Sequence, residues 1–399
     1  FISNFMVLFV FIKTHIIEYQ YKLIMSSFNL VQIVPSLDSG GVERGTVDVA
    51  NFLAQKQIKN FIITSGGKMI KELDDNFVHV HQLPVSSKNF FSYPSIARKI
   101  YKFIQANNIN LVHVRSRGPA WMINFMSKNN IKTISTFHNV YGGNSFIKKM
   151  YNKGLSKMDH LIAISDYVKE TVIQKYNITN KNISVINRGI DTEYFNQPIN
   201  NTYKEDFINR HQIDKSKKII LFPARLTRWK GQLEFVDVIR KITTESILVL
   251  FAGDTKNDSY AKQLREKINK SNLNDTFKIL GSINREEMRL LFDIADLSVS
   301  LPLRAEGFGR TISESLYSGT PVIAFNYGGA KNQLEHLSDF FKLTPQDYGS
   351  LPNKIDLLLN LSSNQKVKIF QNVKTVIENN FSKENMVNQY LEFYESVQS

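Results

Sequence analysis

From Asn29 onward, short apolar, β-prone runs alternate with longer segments whose apolar positions recur at helical spacing. Runs that are apolar nearly throughout belong to strands buried on both faces. With helices between them, they build a parallel sheet covered on each side. The spacing predicts strands over Asn29–Pro35, Phe61–Ser65, Val78–Leu83, Leu111–Arg115, Lys132–Phe137, His160–Ser165 and Ile183–Asn187. It predicts helices over Gly41–Gln55, Tyr93–Ala106 and Asp166–Tyr176. The alternation pauses across Asp191–Ser216, a polar stretch rich in Asn and Lys that reads as a linker. It restarts with strands over Lys218–Arg225, Ile247–Gly253, Thr276–Leu280, Leu297–Leu301 and Pro321–Phe325. Helices over Gln232–Lys241, Tyr260–Ile268, Glu286–Ile294 and Arg310–Tyr317 separate them, and residues 346–399 read as helices only. The expected class is α/β: two doubly wound, Rossmann-like domains facing a cleft.

The 399 residues suit two domains of ordinary size. There is no cysteine, which excludes a disulfide scaffold and any Cys-ligated metal site. The net charge of +14 favours an anionic partner: nucleic acid, a phosphorylated metabolite or an acidic membrane surface. Residues 1–200 hold 23 Lys and Arg against 12 Asp and Glu, whereas residues 201–399 hold 27 against 24. The anion that this charge serves is therefore expected beside the first half. The sequence begins at Phe1, and Met25 offers a plausible start, so residues 1–24 are expected to be an extension outside the fold. The apolar run Phe5–Ile12 is cut by Lys13, well short of the ~18–20 residues a membrane span needs. A protein in the cytoplasm, soluble or peripheral on the inner face of the membrane, is expected.

The densest chemistry lies in Arg304–Ala330, RAEGFGRTISESLYSGTPVIAFNYGGA. Glu306 stands on a turn followed by Gly307, Phe308 and Gly309, and Glu314 follows eight positions later in the next helix. A glycine-rich turn that opens a helix presents backbone N–H groups to an anion. The two carboxylates can face one ligand, the first near its reacting end and the second near its nucleotide end. Pro223–Gly231, PARLTRWKG, places Arg225 and Lys230 around a turn, where a guanidinium fork and an ammonium can clamp a diphosphate. Gly40 and Gly41, between the first strand and helix, let backbone approach a phosphate closely. His138 follows Thr136-Phe137 at a strand end, the edge where such folds bind ligands. Each feature alone also suits a plain structural role: a capped helix, a solvated loop, a tight turn, a core histidine.

Together and in this order, these segments resemble the retaining GT-B glycosyltransferases of family 4, the glycosyl transferases group 1. Supporting matches are HLIAISDYVKE at 160–170, VINRGID at 185–191, LFAGD at 250–254 and SGTPVIAFNYGGAKN at 318–332. The resemblance implies catalytic positions at Glu306, close to the anomeric carbon of the donor, and at His138, beside the donor sugar. It implies donor binding by Gly40, Gly41, Arg225, Lys230, Gly307, Phe308, Gly309 and Glu314, with Glu314 accepting from the two ribose hydroxyls. Fixed cations and amides would then stabilise the departing diphosphate in place of a metal. No Asp-x-Asp triplet occurs, in keeping with a reaction that needs no metal and no cofactor. The implied substrates are a nucleotide-diphosphate sugar and a surface-glycan or lipid-linked acceptor of lipopolysaccharide or capsule type in a bacterium. The implied domains are an acceptor domain at 25–195, a donor domain at 196–380 and a helix at 381–399 returning to the first domain.

Three positions depart from the family pattern. Asn187-Arg188-Gly189 replaces Pro-Asn-Gly, Thr255–Ser259 replaces a Gly-Pro turn, and Arg310 stands where Leu is frequent. These leave the phosphate clamp intact and bear on donor identity. Residues 144–157, NSFIKKMYNKGLSK, set Ile147, Met150, Tyr151 and Leu155 at helical spacing beside Lys148, Lys149, Lys153 and Lys157. Such a helix either rests on anionic lipid or turns its apolar stripe to the core. Two other functions on the same fold fit less well. An epimerase gives no reason for the Glu306/Glu314 pair, and a phosphorylase needs a pyridoxal-binding lysine site that is not located. A nucleic-acid-binding protein predicts a recognition motif or a basic patch interleaved with aromatics; neither is found, and no nucleic-acid partner is expected.

Overall fold

Successive side chains of a strand point to opposite faces, so one apolar run serves two cores at once. The computed structural model describes residues 28–398 apart from Ser39, Asn129, Asn144, 180–182 and 256–257. The expected extension at 1–24 lies outside the described residues. The strands are β1 (Leu30–Ile33), β2 (Asn60–Thr64), β3 (Val78–Gln82), β4 (Leu111–Val114), β5 (Lys132–Phe137), β6 (His160–Ala163) and β7 (Ile183–Val185). After them come β8 (Lys218–Pro223), β9 (Ile247–Ala252), β10 (Phe277–Gly281), β11 (Leu297–Ser300), β12 (Val322–Phe325) and β13 (Lys342–Leu343). They form two parallel sheets, ordered β3-β2-β1-β4-β5-β6-β7 and β10-β9-β8-β11-β12-β13. Helices flank both, which is the GT-B type of α/β architecture. In β8 and β9 the period of two is plain. Ile220, Phe222, Val249 and Phe251 join one core with Phe235 and Leu264. Ile219, Leu221, Leu248 and Leu250 join the other with Phe207 and Leu291.

The chain divides into two units. The first runs through Ile164, resumes over Val168–Ile186 and takes back the chain from Val387 onward; the second holds Ser165–Tyr167 and Asn187–Met386. The last helix, Lys383–Gln398, therefore begins in the second unit and ends in the first. There it completes a polar core. Arg115, 1% exposed, donates from Nε and Nη2 to Gln32 Oε1 and from Nη1 to the Tyr390 hydroxyl, and its guanidinium lies 4.7 Å from the Tyr390 ring centre.

Two expectations are corrected. The polar stretch 191–216 is not a plain linker: it contains helices at Thr192–Asn196 and Asn201–Arg210. Asp191 and Asn200 cap them by accepting from the amides of Tyr194 and Tyr203, and only Phe207 and Ile208 of the second are buried. Two caps and two core residues leave no apolar period to read. Residues 144–157 are not one helix. Ser145 caps a helix over Phe146–Asn152, and a 3₁₀ turn follows at Leu155–Lys157. The break falls where Gly154 passes Trp121, so close that a Cβ there would lie 2.7 Å from the indole. Leu155 is buried, whereas Phe146, Ile147 and Met150 stand exposed, so the anticipated stripe is split between core and solvent. No described helix is long and apolar enough to cross a membrane.

Candidate functional site

In the second sheet β8 lies between β9 and β11, so the chain leaves in opposite directions from neighbouring carboxyl ends. That reversal opens a crevice for ligands. Two loops flank it: Ala224–Gly231 after β8 and Leu301–Gly309 after β11. The Leu303 amide donates to the Trp229 carbonyl at 2.8 Å and ties them together. Gly231 turns the first loop at φ 87°, and a Cβ on it would sit 2.3 Å from the Leu301 carbonyl oxygen, so no other residue fits there. Lys230 Nζ meets Glu306 Oε1 across the loops at 2.7 Å, with the two side chains 15% and 24% exposed. The same ammonium lies 4.3 Å from the Trp229 ring centre, and the Arg304 guanidinium lies 5.0 Å from it. Trp229 thus carries two cations beside one carboxylate. Arg225 is exposed and contributes its carbonyl to Gln232 Nε2.

The loop bearing Glu306 is fixed through its backbone. The Gly329 amide donates to the Glu306 carbonyl at 2.8 Å, and a Cβ at Gly329 would lie 2.2 Å from the Gly307 carbonyl oxygen. Gln333, fully buried, donates to the Phe308 carbonyl at 2.6 Å and accepts from the Ser313 hydroxyl at 2.5 Å. The Ser165 hydroxyl donates to the Gly307 carbonyl at 2.7 Å, and Phe308 packs on Phe381 in the core. Gly309, at φ 86°, opens the helix Arg310–Tyr317. Near its start Arg310 pairs with Glu314 at 3.2 Å, and the Glu314 side chain is 12% exposed. Lys230, Glu306 and the 307–309 backbone are brought together, with Glu314 further along the helix that this loop begins. Tyr327 donates to the Pro302 carbonyl; burial above all pushes its phenol well up, so it stays protonated.

Gly40, Gly41 and His138 belong to the first unit. Gly40, at φ 126°, precedes the helix Gly41–Gln55, and His138 follows β5 and is half-buried. Beneath that edge lies a histidine the motifs did not single out. His113, fully buried, meets the Tyr394 hydroxyl through Nδ1 at 2.8 Å and the Thr136 hydroxyl through Nε2 at 2.7 Å. Burial first, then the charges of Arg115 and His138, hold its pKa well below the ordinary histidine value. Trp229, Arg304 and the Arg310–Glu314 pair were also missed as site features. The signal for the pair was present in the i, i+4 spacing of opposite charges. Among the described residues no three His, Asp or Glu side chains converge as metal ligands would.

Residues 203–375 match the family Glycosyl transferases group 1, and residues 39–194 match Glycosyltransferase Family 4. The crystal structure of a glycosyltransferase from Rickettsia africae is 32% identical. It superposes with a TM-score of 0.83 over 93% of this chain and 98% of that one. Anabaena HepE in complex with UDP and glucose shares the fold at 19% identity, with a TM-score of 0.76 over 92% of this chain and all of that one. The O-antigen chain mannosyltransferase of Salmonella typhimurium is 28% identical over 204 residues, 49% of this chain and 52% of its own length.

Proposed function

The chain belongs to the GT-B glycosyltransferases of the family 4 and group 1 type, and on that footing we propose that it moves a hexosyl group, with retention of configuration, from a nucleoside-diphosphate sugar to a surface-glycan or lipid-linked acceptor. The observation that carries this reading is the Lys230–Glu306 pair at the reversal point of the second sheet, with Arg304 and Trp229 beside it. A sugar nucleotide offers both partners something better than each other. Its hydroxyls donate to the Glu306 carboxylate, and its diphosphate takes the Lys230 ammonium, with Arg225 reaching from solvent. As the bond to the anomeric carbon breaks, negative charge grows on the leaving phosphate oxygen. Cations already in place, and amides at the Gly307–Gly309 turn, lower that barrier without reorganising. Glu314 accepts from the ribose hydroxyls. On the first unit, Gly40 and Gly41 offer amides to the phosphates, and His138 stands by the donor sugar.

UDP in the Anabaena structure makes UDP-sugars the first donors to try, and the Salmonella relative makes glycan precursors of O-antigen type the first acceptors. The test is a screen of nucleotide sugars for donor hydrolysis, read by mass and run with and without EDTA. NMR of the transferred linkage follows. Turnover that persists in EDTA and an unchanged anomeric configuration are expected. Turnover lost in EDTA and restored by Mn²⁺, or an inverted product, overturns the mechanism.

A further inference from the structure

The helix Arg310–Tyr317 opens on a charge that its own stability does not call for. A helix start carries partial positive charge and favours Asp or Glu in its first turn. This helix has no acid there, and its first residue is Arg310. The ion pair that Arg310 makes also runs in the weaker order, because a carboxylate four positions before a cation supports a helix better than the reverse. Yet the contact is no loose surface pair. Arg310 Nη2 lies 3.2 Å from Glu314 Oε1, with the arginine side chain 39% exposed and the glutamate 12%. Among the described residues Arg310 is the one ion-pair partner of Glu314, and its removal would leave a mostly buried carboxylate alone. The cation thus starts at the Gly307–Gly309 turn, and the anion it holds lies one helical turn further on. Diphosphate and ribose follow each other along a nucleotide in the same order.

We infer that Arg310 is a positioning residue that trades Glu314 for the diphosphate when a donor binds. The inference rests on the nucleotide-sugar reading of this crevice and adds to it a coupling between two parts of the donor. Before a nucleotide arrives, the guanidinium holds the Glu314 carboxylate in place. A diphosphate is the stronger partner, because its oxygens take a guanidinium fork through two parallel hydrogen bonds. Once the fork has turned to the phosphate, Glu314 is released to accept from both ribose hydroxyls. A nucleoside that lacks phosphates meets the carboxylate still engaged by Arg310 and has to compete for it. The diphosphate therefore favours ribose binding, and by linkage the ribose favours diphosphate binding. Nucleosides are discriminated against by the same device. A leucine at this position would suit the helix as well as arginine does, without supplying the coupling.

The test compares a nucleoside diphosphate with its nucleoside, beginning with UDP and uridine and passing to GDP and guanosine if UDP does not bind. Calorimetry reads the diphosphate and ligand-observed NMR the weaker nucleoside. Arg310→Leu should weaken the diphosphate by about tenfold, the scale of one charge-assisted hydrogen bond. It should tighten the nucleoside by about threefold, the scale of an ion pair that no longer competes. Arg310→Lys keeps the charge and loses the fork, so it should recover part of the diphosphate affinity. In a Glu314→Gln background, Arg310→Leu should still weaken the diphosphate, while the nucleoside gain disappears. Weakening of both ligands by Arg310→Leu, a change in neither, or a nucleoside gain that survives Glu314→Gln would overturn the inference. A wild-type protein that binds neither UDP nor GDP would instead remove the nucleotide-sugar reading, and the inference with it.

Discussion

The two units have the same plan, a parallel sheet with a reversal next to its central strand, yet they fill the reversal with opposite chemistry. In the second unit the loops after β8 and β11 carry Lys230 paired with Glu306, partly open to solvent, on a backbone pinned by glycine contacts. In the first unit the carboxyl end of β4 leads to Arg115, sealed from water and satisfied by an amide and a phenol, with no carboxylate in its hydrogen bonds. At the second unit's reversal two opposite charges are paired across loops and stay partly open to solvent, whereas the arginine that follows β4 in the first unit is taken up in holding the fold. Topology offers the crevice; the residues placed on its loops decide whether it is a site.

The sharpest way to break this contrast is at the two charges. Glu306→Ala should lower the rate of transfer by about a thousandfold, the scale of removing a group that acts on the reacting bond. Its thermal midpoint should stay near wild type. Arg115→Met should do the reverse: a loss of about 3 kcal/mol in unfolding free energy, because the buried Gln32 carbonyl and Tyr390 hydroxyl lose their partner. Denaturant titration beside kcat for both variants decides. A stable Arg115→Met protein with low kcat would erase the distinction. Glu314→Ala sharpens it further, since a carboxylate that holds ribose hydroxyls contributes ~1.5–3 kcal/mol to donor binding. Calorimetry with UDP should show that loss, and an unchanged dissociation constant removes Glu314 from the site. The smallest effect is with pH. His113 has a lowered pKa in the fold, so the unfolded chain binds the proton more readily. Its stabilising contribution is complete above the unfolded value and falls as pH drops below about 6.5, by up to ~1.4 kcal/mol per pH unit. His160, also shifted down mainly by burial, acts in the same direction in this unit. Thermal midpoints from pH 7 to pH 5 should fall less steeply in His113→Gln than in wild type.

The second unit was the more legible of the two in the sequence, and the reason is physical. Its loops after β8 and β11 demand glycine at positions of positive φ and near-contact backbone, and glycine and acid at fixed spacing form a readable signature. The distal Gly328-Gly329 carries meaning for the same reason: a Cβ at either would strike the Glu306–Phe308 backbone. Helices with a clear apolar period, such as Gly41–Gln55, Tyr93–Ala106 and Arg310–Tyr317, lie where the spacing put them. What escaped rests on contacts between distant residues. Arg115 and His113 look like the polar tail of an apolar strand until Tyr390 and Tyr394 arrive from the far end of the chain. Trp229 looks like a loop aromatic until Arg304 is folded against it.

The closure of the first unit by Tyr390 and Tyr394 sets an order on the birth of the protein. His113 waits for a partner 281 positions downstream and Arg115 for one 275 downstream. At ribosomal speeds of about 5–20 residues per second, that is roughly a quarter of a minute to a minute. Throughout that interval the nascent β1–β7 sheet holds an arginine whose last hydrogen-bond partner has not been made. The Asn187–Met386 body, translated later, needs only its own residues and those at 165–167. The half that emerges first is thus the half that finishes last.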